Sequence, residues 1–156
     1  MKKHDLYGYL IGIGLAELIG VLASLFSGAG RGFYTEVEQP PLSPPGWVFP
    51  VVWTVLYALM GAASYRVWES GAENRTAALV FYVLQLAVNF VWPIVFFRFQ
   101  NFGAAAAVLV LLLVLVLFTT VQFFKADRLA GILLLPYVLW TAFALYLNLG
   151  VWVLCS

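Results

Sequence analysis

The chain has 156 residues, of which 64% are hydrophobic and only 10% are charged, and its formal net charge is +1. A soluble domain usually carries about 25% charged residues, so this composition indicates a lipid bilayer as the solvent. The near-neutral charge argues against nucleic acid as a partner, and the single Cys155 and His4 leave no metal-ligand set, so we expect no metal site and no resident cofactor.

Five apolar stretches are long enough to cross a bilayer core, which requires roughly 20 residues each. They cover approximately residues 6–27, 47–68, 77–97, 103–124 and 129–154. Only the first connection, residues 28–46, is long. The sequence therefore predicts an all-α membrane protein in which one domain is a bundle of five transmembrane helices.

The first span carries two features besides its apolar residues. Its small residues recur every four positions, a spacing that lets a second helix approach closely, either within the chain or from another copy. They are Gly8, Gly12, Ala16, Gly20, Ser24 and Gly28. Glu17 lies in the same span, where a carboxylate is costly and is by default a functional candidate facing the interior, the alternative being a protonated or hydrogen-bonded structural group. The run is longer than a secretory signal core, so we expect a retained helix.

The first connection is rich in proline and aromatic residues. Proline fixes φ and restricts the residue before it, so the segment from Pro40 to Pro45 is predicted to be stiff. It leads into a helix that carries Trp47, Trp53 and Tyr57. The sequence fits either a lid over an aromatic pocket for a flat apolar ligand or a membrane-surface turn anchored by Trp47.

Three helix faces combine large aromatic side chains with a few polar groups. The faces are Trp53, Tyr57 and Met60 on the second span, Gln85, Asn89, Trp92 and Phe96 on the third, and Tyr137, Trp140, Ala144, Asn148 and Trp152 on the fifth. Amides in lipid need partners, so these faces are predicted to point inward. They fit either a small-molecule cavity or an aromatic core whose amides are satisfied.

Orientation follows from the Lys and Arg residues near the ends of the spans and in the connections. With five spans, the N-terminus shares one side with the second and fourth loops. That side carries Lys2, Lys3, Arg66, Arg75, Lys125 and Arg128, whereas the other carries Arg31 and Arg98. The positive-inside rule then predicts a cytoplasmic N-terminus in a cell membrane.

Several ordered motifs resemble the translocator protein family, whose members are also called tryptophan-rich sensory proteins or peripheral-type benzodiazepine receptors. They lie at residues 33–34 and 39–40, 44–49 and 53–61, 85–93 and 96–97, and 135–144 and 147–148. Any one of them is weak, but together they cover nearly the whole chain in order. The resemblance implies a five-helix membrane protein, often a homodimer, that binds porphyrins such as protoporphyrin IX under the first loop.

The resemblance also implies roles for particular residues. Tyr34, Trp53, Asn89, Trp140 and Ala144 would contact ligand, and light-dependent breakdown of protoporphyrin in the family would make Trp53 and Trp140 catalytic. With the loop and the inward faces included, the predicted ligand-binding residues are Tyr34, Pro44, Trp47, Trp53, Tyr57, Asn89, Trp92, Tyr137, Trp140, Ala144 and Asn148.

The chain departs from the family pattern at three places. Leu42 stands where many members have tryptophan, and Gln39 where lysine is common. No basic residue ends the segment after Asn148, as it does in the cholesterol motif of animal members, which argues against high-affinity sterol recognition. This departure and the short C-terminus fit a bacterial member.

Three functions are consistent with these observations. The favoured one is porphyrin binding for transport or sensing, and the second is an enzyme that degrades porphyrin with light and oxygen. The third is a structural or partner-binding membrane protein, supported by the stripe of small residues. The sequence contains no nucleophile with an adjacent base, no phosphate-binding glycine loop and no pair of intramembrane carboxylates, so hydrolysis and phosphoryl transfer are not expected.

Overall fold

The computed structural model describes residues 3–27, 40–45 and 47–155. It contains five long helices: α1 (Lys3–Ser27), α2 (Val48–Glu69), α3 (Arg75–Pro93), α4 (Phe102–Ala126) and α5 (Arg128–Cys155). Each is long and apolar enough to cross a membrane. The predicted all-α bundle of five transmembrane helices is confirmed, and the observed ends differ from the predicted ones by at most four residues.

The helices pack side by side in a ring whose order differs from their order in the chain. Going round, α1 is followed by α2, α5, α4 and α3, and α3 returns to α1. The described core is made of apolar and aromatic side chains from all five helices, with Met60, Leu109, Leu112, Phe123 and Tyr137 almost fully buried. The ring places α1 between α2 and α3, where a cavity lies.

The stripe of small residues on α1 packs against α2 of the same chain. At the crossing, a Cβ atom added to Gly12 would lie 2.6 Å from the carbonyl oxygen of Gly61, so only glycine allows the two backbones to come this close. The rings of Tyr65 and Tyr57 lie against Gly8 and Gly20 on either side of the crossing. The stripe therefore forms an intramolecular contact, and Gly28 lies outside the described residues.

Helix α3 changes its winding at Pro93. The proline has no N–H to give to the carbonyl four residues earlier, and the next turn, Ile94–Arg98, is a π-helix. Its wider turn ends in a hydrogen bond from the Phe99 N–H to the Ile94 carbonyl, 3.1 Å long. Such π turns often occur at functional sites, and this one brings Phe97 to the wall of the cavity.

An ion pair joins α2 to the connection between α4 and α5. Arg66 Nε donates to Asp127 Oδ2 over 2.7 Å, and Arg66 Nη1 donates to the Tyr9 hydroxyl over 3.0 Å. Asp127 Oδ2 also accepts the Ala130 N–H and so caps the start of α5. The hydrogen bond from Arg66 holds the pKa of the Asp127 carboxyl below its usual value.

Candidate functional site

A cavity of about 320 Å³ lies between α1, α2 and the end of α3. Its volume is at the small end of the range of about 300–1,000 Å³ found for ligand sites. Its walls are the residues Glu17, Gly20, Val21, Ala23, Ser24, Ser27, Phe49, Pro50, Trp53, Thr54, Tyr57, Asn89, Trp92, Pro93 and Phe97. The lining is largely apolar and aromatic with a few polar groups, the usual character of a small-molecule site.

One wall of the cavity is a single face of α1. Glu17, Gly20, Val21 and Ser24 are spaced at i, i+3, i+4 and i+7, so they lie above one another along the helix. Because Gly20 has no side chain, the Tyr57 ring fits against the helix backbone at this level. The small residues that bring α1 and α2 together thus continue into the cavity wall.

Aromatic side chains form much of the opposite walls. Trp53 and Tyr57 are one turn apart on α2, and their ring centroids are 5.7 Å apart. Trp92, on α3, packs on Phe96 with ring centroids 5.3 Å apart. Flat ligands stack on such rings, and offset or edge contacts between aromatic groups contribute about 0.5–1.5 kcal/mol beyond area burial.

A chain of hydrogen bonds runs from the cavity wall into the core. The Tyr57 hydroxyl donates to Asn89 Oδ1 over 2.5 Å, and Asn89 Nδ2 donates to the Tyr137 hydroxyl over 2.6 Å. The Tyr137 hydroxyl in turn donates to Gln85 Oε1 over 2.6 Å. The prediction that the intramembrane amides point inward and find partners is confirmed for Gln85 and Asn89.

A second polar contact fixes Trp92. Its indole N–H donates to Asn148 Oδ1 over 2.9 Å, and Asn148 Nδ2 donates to the backbone carbonyl of Phe102 over 2.9 Å. Trp92 is thereby held between α5 and the start of α4. Asn148 shapes the cavity through this contact, although it does not line the cavity itself.

The predicted site residues fall into three groups. Trp53, Tyr57, Asn89 and Trp92 line the cavity together. The second group lies on α5 behind them, outside the lining, and comprises Tyr137, Trp140, Ala144 and Asn148. Pro44 and Trp47 form the third group, which also does not line the cavity, and Tyr34 lies outside the described residues.

The predicted catalytic pair is adjacent, but only one member reaches the cavity. The ring centroids of Trp53 and Trp140 are 6.5 Å apart and the planes are nearly perpendicular, at 89°. The Trp140 indole nitrogen is buried, and in the part of the chain that the structure describes nothing accepts its hydrogen. Trp140 therefore supports Trp53 from behind.

The described part of the first connection lies on α5. Pro40 packs against Gly150, and the Tyr146 hydroxyl donates to the Pro41 carbonyl over 2.5 Å. Pro40 is buried, whereas Trp47 is 68% exposed. Residues 28–39 and Gly46, which include much of the predicted lid, are outside the described residues.

Sequence reasoning missed the contribution of α1 to the cavity. Ser24, Ser27, Thr54 and Phe97 were not among the predicted site residues, and Glu17 was singled out only for its depth in the membrane. The spacing of Glu17, Gly20 and Ser24 was the available signal, because it places a carboxylate and a hydroxyl on the face that carries the small residues.

Comparisons with known proteins agree with this architecture. A sequence model of the TspO/MBR family matches residues 12–153. Protein CrtK of Rhodobacter capsulatus is 38% identical over 85% of this chain and 83% of its own length. The tryptophan-rich protein TspO of Archaeoglobus fulgidus is 36% identical over 90% of this chain and 95% of its own. The human translocator protein is 38% identical over 91% of this chain and 87% of its own.

Proposed function

Because this chain belongs to the TspO/MBR family, we propose that it binds porphyrins such as protoporphyrin IX, or a related flat apolar ligand, with a role in transport or sensing. It is an integral membrane protein with five apolar helices. The observation that carries the proposal is the cavity walled by Trp53 and Trp92, whose lining also includes the polar side chains of Tyr57 and Asn89. Indole rings offer stacking surfaces to a planar ligand, and the polar pair offers a point of orientation.

The proposal includes the setting of the protein. We place it in a bacterial cell membrane with a cytoplasmic N-terminus, on the basis of the positive-inside rule. Membrane lipid surrounds the exposed apolar side chains, and a homodimer would use one of these surfaces, since the stripe of small residues already packs against α2. No sterol ligand is proposed.

The test is a titration of the purified protein in lipid nanodiscs with protoporphyrin IX, in which binding is monitored through the change in porphyrin absorbance. This signal does not depend on tryptophan fluorescence, so tryptophan variants can be compared directly. We expect saturable binding by the wild type, weakened by Asn89→Leu and unchanged by Trp68→Phe, a matched variant at the far end of α2 where the ring is 59% exposed. Binding that does not saturate, or that Asn89→Leu does not weaken, would contradict the proposal.

A second candidate function is light-driven porphyrin degradation in the same cavity. It is favoured by the contact between two easily oxidised indoles, Trp53 and Trp140, of which one lines the cavity. In a balanced step, dioxygen adds across one methine double bond of the macrocycle, that carbon–carbon bond breaks, and the two oxygen atoms become two carbonyl groups. Trp53 would hold the macrocycle against this wall while the reaction proceeds.

Illumination of the porphyrin complex in air and under argon tests this second function. We expect loss of porphyrin absorbance only in air, and a slower rate in the double variant Trp53→Phe with Trp140→Phe at equal porphyrin occupancy. If the double variant degrades porphyrin at the wild-type rate, the indoles do not take part in the reaction.

A further inference from the structure

Glu17 gives the cavity one charged wall. It is half-buried on α1 and lies one helical turn from Gly20, against which the Tyr57 ring packs. Among the described lining residues it is the only one with an ionisable acidic or basic side chain other than the phenol of Tyr57. No lysine, arginine or histidine from the described chain shares the lining with it.

The Glu17 carboxylate has no ion-pair partner in the described parts of the chain. Arg66 and Asp127 pair with each other at another level of the bundle. A carboxylate at membrane depth without a partner is costly, and such residues normally face a cavity and mark a ligand or ion pathway. A cation that enters the cavity would supply the missing partner.

Aromatic rings surround the same space. Trp53, Tyr57 and Trp92 line the cavity opposite α1. The face of an indole or phenol ring attracts a positive charge, and this attraction strengthens when water is excluded. A carboxylate that faces aromatic rings across an apolar cavity combines the two groups that recognise an organic cation.

We propose that the cavity selects a flat aromatic monocation, whose charged nitrogen pairs with Glu17 while its ring system stacks against Trp53 and Trp92. The inference rests on the proposed function, because it takes the same cavity as a ligand site, and it adds a second ligand class whose charge is opposite to that of the porphyrin propionates. A divalent metal ion is not the occupant the residues favour, since it needs several hard ligands, and no cluster of three metal-ligating residues exists in the described chain.

The charge also bears on the orientation of anionic ligands. Protoporphyrin IX carries propionate groups, and a carboxylate repels them at short range. A bound porphyrin would therefore keep its propionates at the end of the cavity near Phe97 and direct its apolar edge toward Glu17. Replacement of Glu17 by glutamine should leave porphyrin affinity equal or raise it.

The test compares two flat tricyclic probes of similar size, 9-aminoacridine, which is a cation at neutral pH, and acridine, which is mostly neutral. Equilibrium dialysis measures the binding of each probe to the wild type, to Glu17→Gln and to Ser24→Ala. The proteins are held in nanodiscs of zwitterionic lipid, and empty nanodiscs give the background. We expect Glu17→Gln to weaken 9-aminoacridine binding about tenfold, the loss of one charge-assisted contact. Acridine binding should change less than about twofold, and Ser24→Ala, on the same face of α1, should affect both probes equally.

The outcomes separate this inference from the proposed function. If protoporphyrin IX binds but the wild type does not prefer the cationic probe over the neutral one, or Glu17→Gln leaves that preference intact, the inference is wrong and the porphyrin proposal survives. If no probe and no porphyrin binds, both are wrong. The comparison of the two probes on the wild type needs no variant, so a folding defect in Glu17→Gln would not hide the result.

Discussion

The Tyr57 hydroxyl and the Asn89 side chain form a 2.5 Å hydrogen bond that joins α2 to α3 at the wall of the cavity. Both side chains are buried, with 4% and 3% of their surfaces exposed. The same amide also donates to Tyr137 on α5, so one asparagine connects three helices. The polar groups of the cavity are therefore fixed before any ligand enters.

Removal of the Tyr57 hydroxyl tests the structural part of this contact. In Tyr57→Phe, Asn89 Oδ1 loses its donor and stays buried, so we expect a loss of about 1 kcal/mol in the free energy of unfolding. Chemical unfolding in detergent micelles, followed by circular dichroism, measures it. The matched control is Tyr7→Phe, whose ring is 61% exposed on α1; equal stability of the two variants would contradict the prediction.

The two adjacent tryptophans should differ in their effect on porphyrin binding. Trp53 lines the cavity and Trp140 packs behind it with its ring perpendicular. We expect Trp53→Phe to weaken binding by about 1 kcal/mol, or roughly fivefold in Kd, and Trp140→Phe to weaken it less than about twofold. Absorbance titrations in nanodiscs provide the comparison. A larger effect at Trp140 would contradict the prediction and indicate that the ligand lies nearer to α5.

The crossing of α1 and α2 should not tolerate a side chain at Gly12. A Cβ atom there would lie 2.6 Å from the Gly61 carbonyl oxygen, so the helices must separate and Gly12→Ala should cost about 1–3 kcal/mol. Gly14→Ala is the matched control, since a Cβ at that position meets nothing within 4 Å. Thermal unfolding in detergent distinguishes the two variants, and equal melting temperatures would show that the helices do not cross at Gly12.

The Arg66–Asp127 pair should make stability depend on pH. Arg66 holds the pKa of the Asp127 carboxyl below its ordinary value of about 3.9. The pair therefore stabilises the folded state fully above that value, and its contribution is lost as the pH falls through the lower pKa of the folded protein. Between pH 7 and pH 3, wild type should lose more stability than Asp127→Asn.

The Asp127→Asn variant isolates the charge because an asparagine oxygen can still accept the Ala130 N–H at the start of α5. At pH 7 we expect it to be less stable than wild type by about 1 kcal/mol, the upper range for a partly exposed ion pair. Unfolding measured at a series of pH values gives the difference in stability at pH 7 and the loss of stability of each protein between pH 7 and pH 3. Parallel pH curves for the two proteins would mean that another group controls the acid response.

Cys155 provides a test of orientation. It is the only cysteine of the chain, it is exposed, and five spans place it on the opposite side of the membrane from the N-terminus. If the N-terminus is cytoplasmic, as we propose, a membrane-impermeant maleimide should label it in intact spheroplasts. Glu73→Cys in a Cys155→Ser background, in the exposed connection between α2 and α3, should be labelled only after lysis; the reverse pattern would invert the topology.

Much of the fold could be predicted from particular sequence features. Long apolar runs with short polar connections predict five helices because a bilayer leaves no other way to satisfy the backbone. Gln85, Asn89 and Asn148 could be assigned to inward faces for the same reason, since an amide in lipid needs a partner. The family motifs pointed to Trp53 and Asn89, which do line the cavity.

The sequence by itself determined the five spans and the inward faces of α2, α3 and α5, because both follow from the cost of polar groups in lipid, which is local to each helix. It could not decide which helices enclose the cavity. That choice depends on the order of the helices around the bundle. The glycines of α1 bring this helix against α2, and the far end of α1 reaches α3. Only the tertiary structure decided that Glu17 and Ser24 line the cavity while Trp140 and Asn148 lie behind it, because helix order and crossing angle arise from contacts between distant residues.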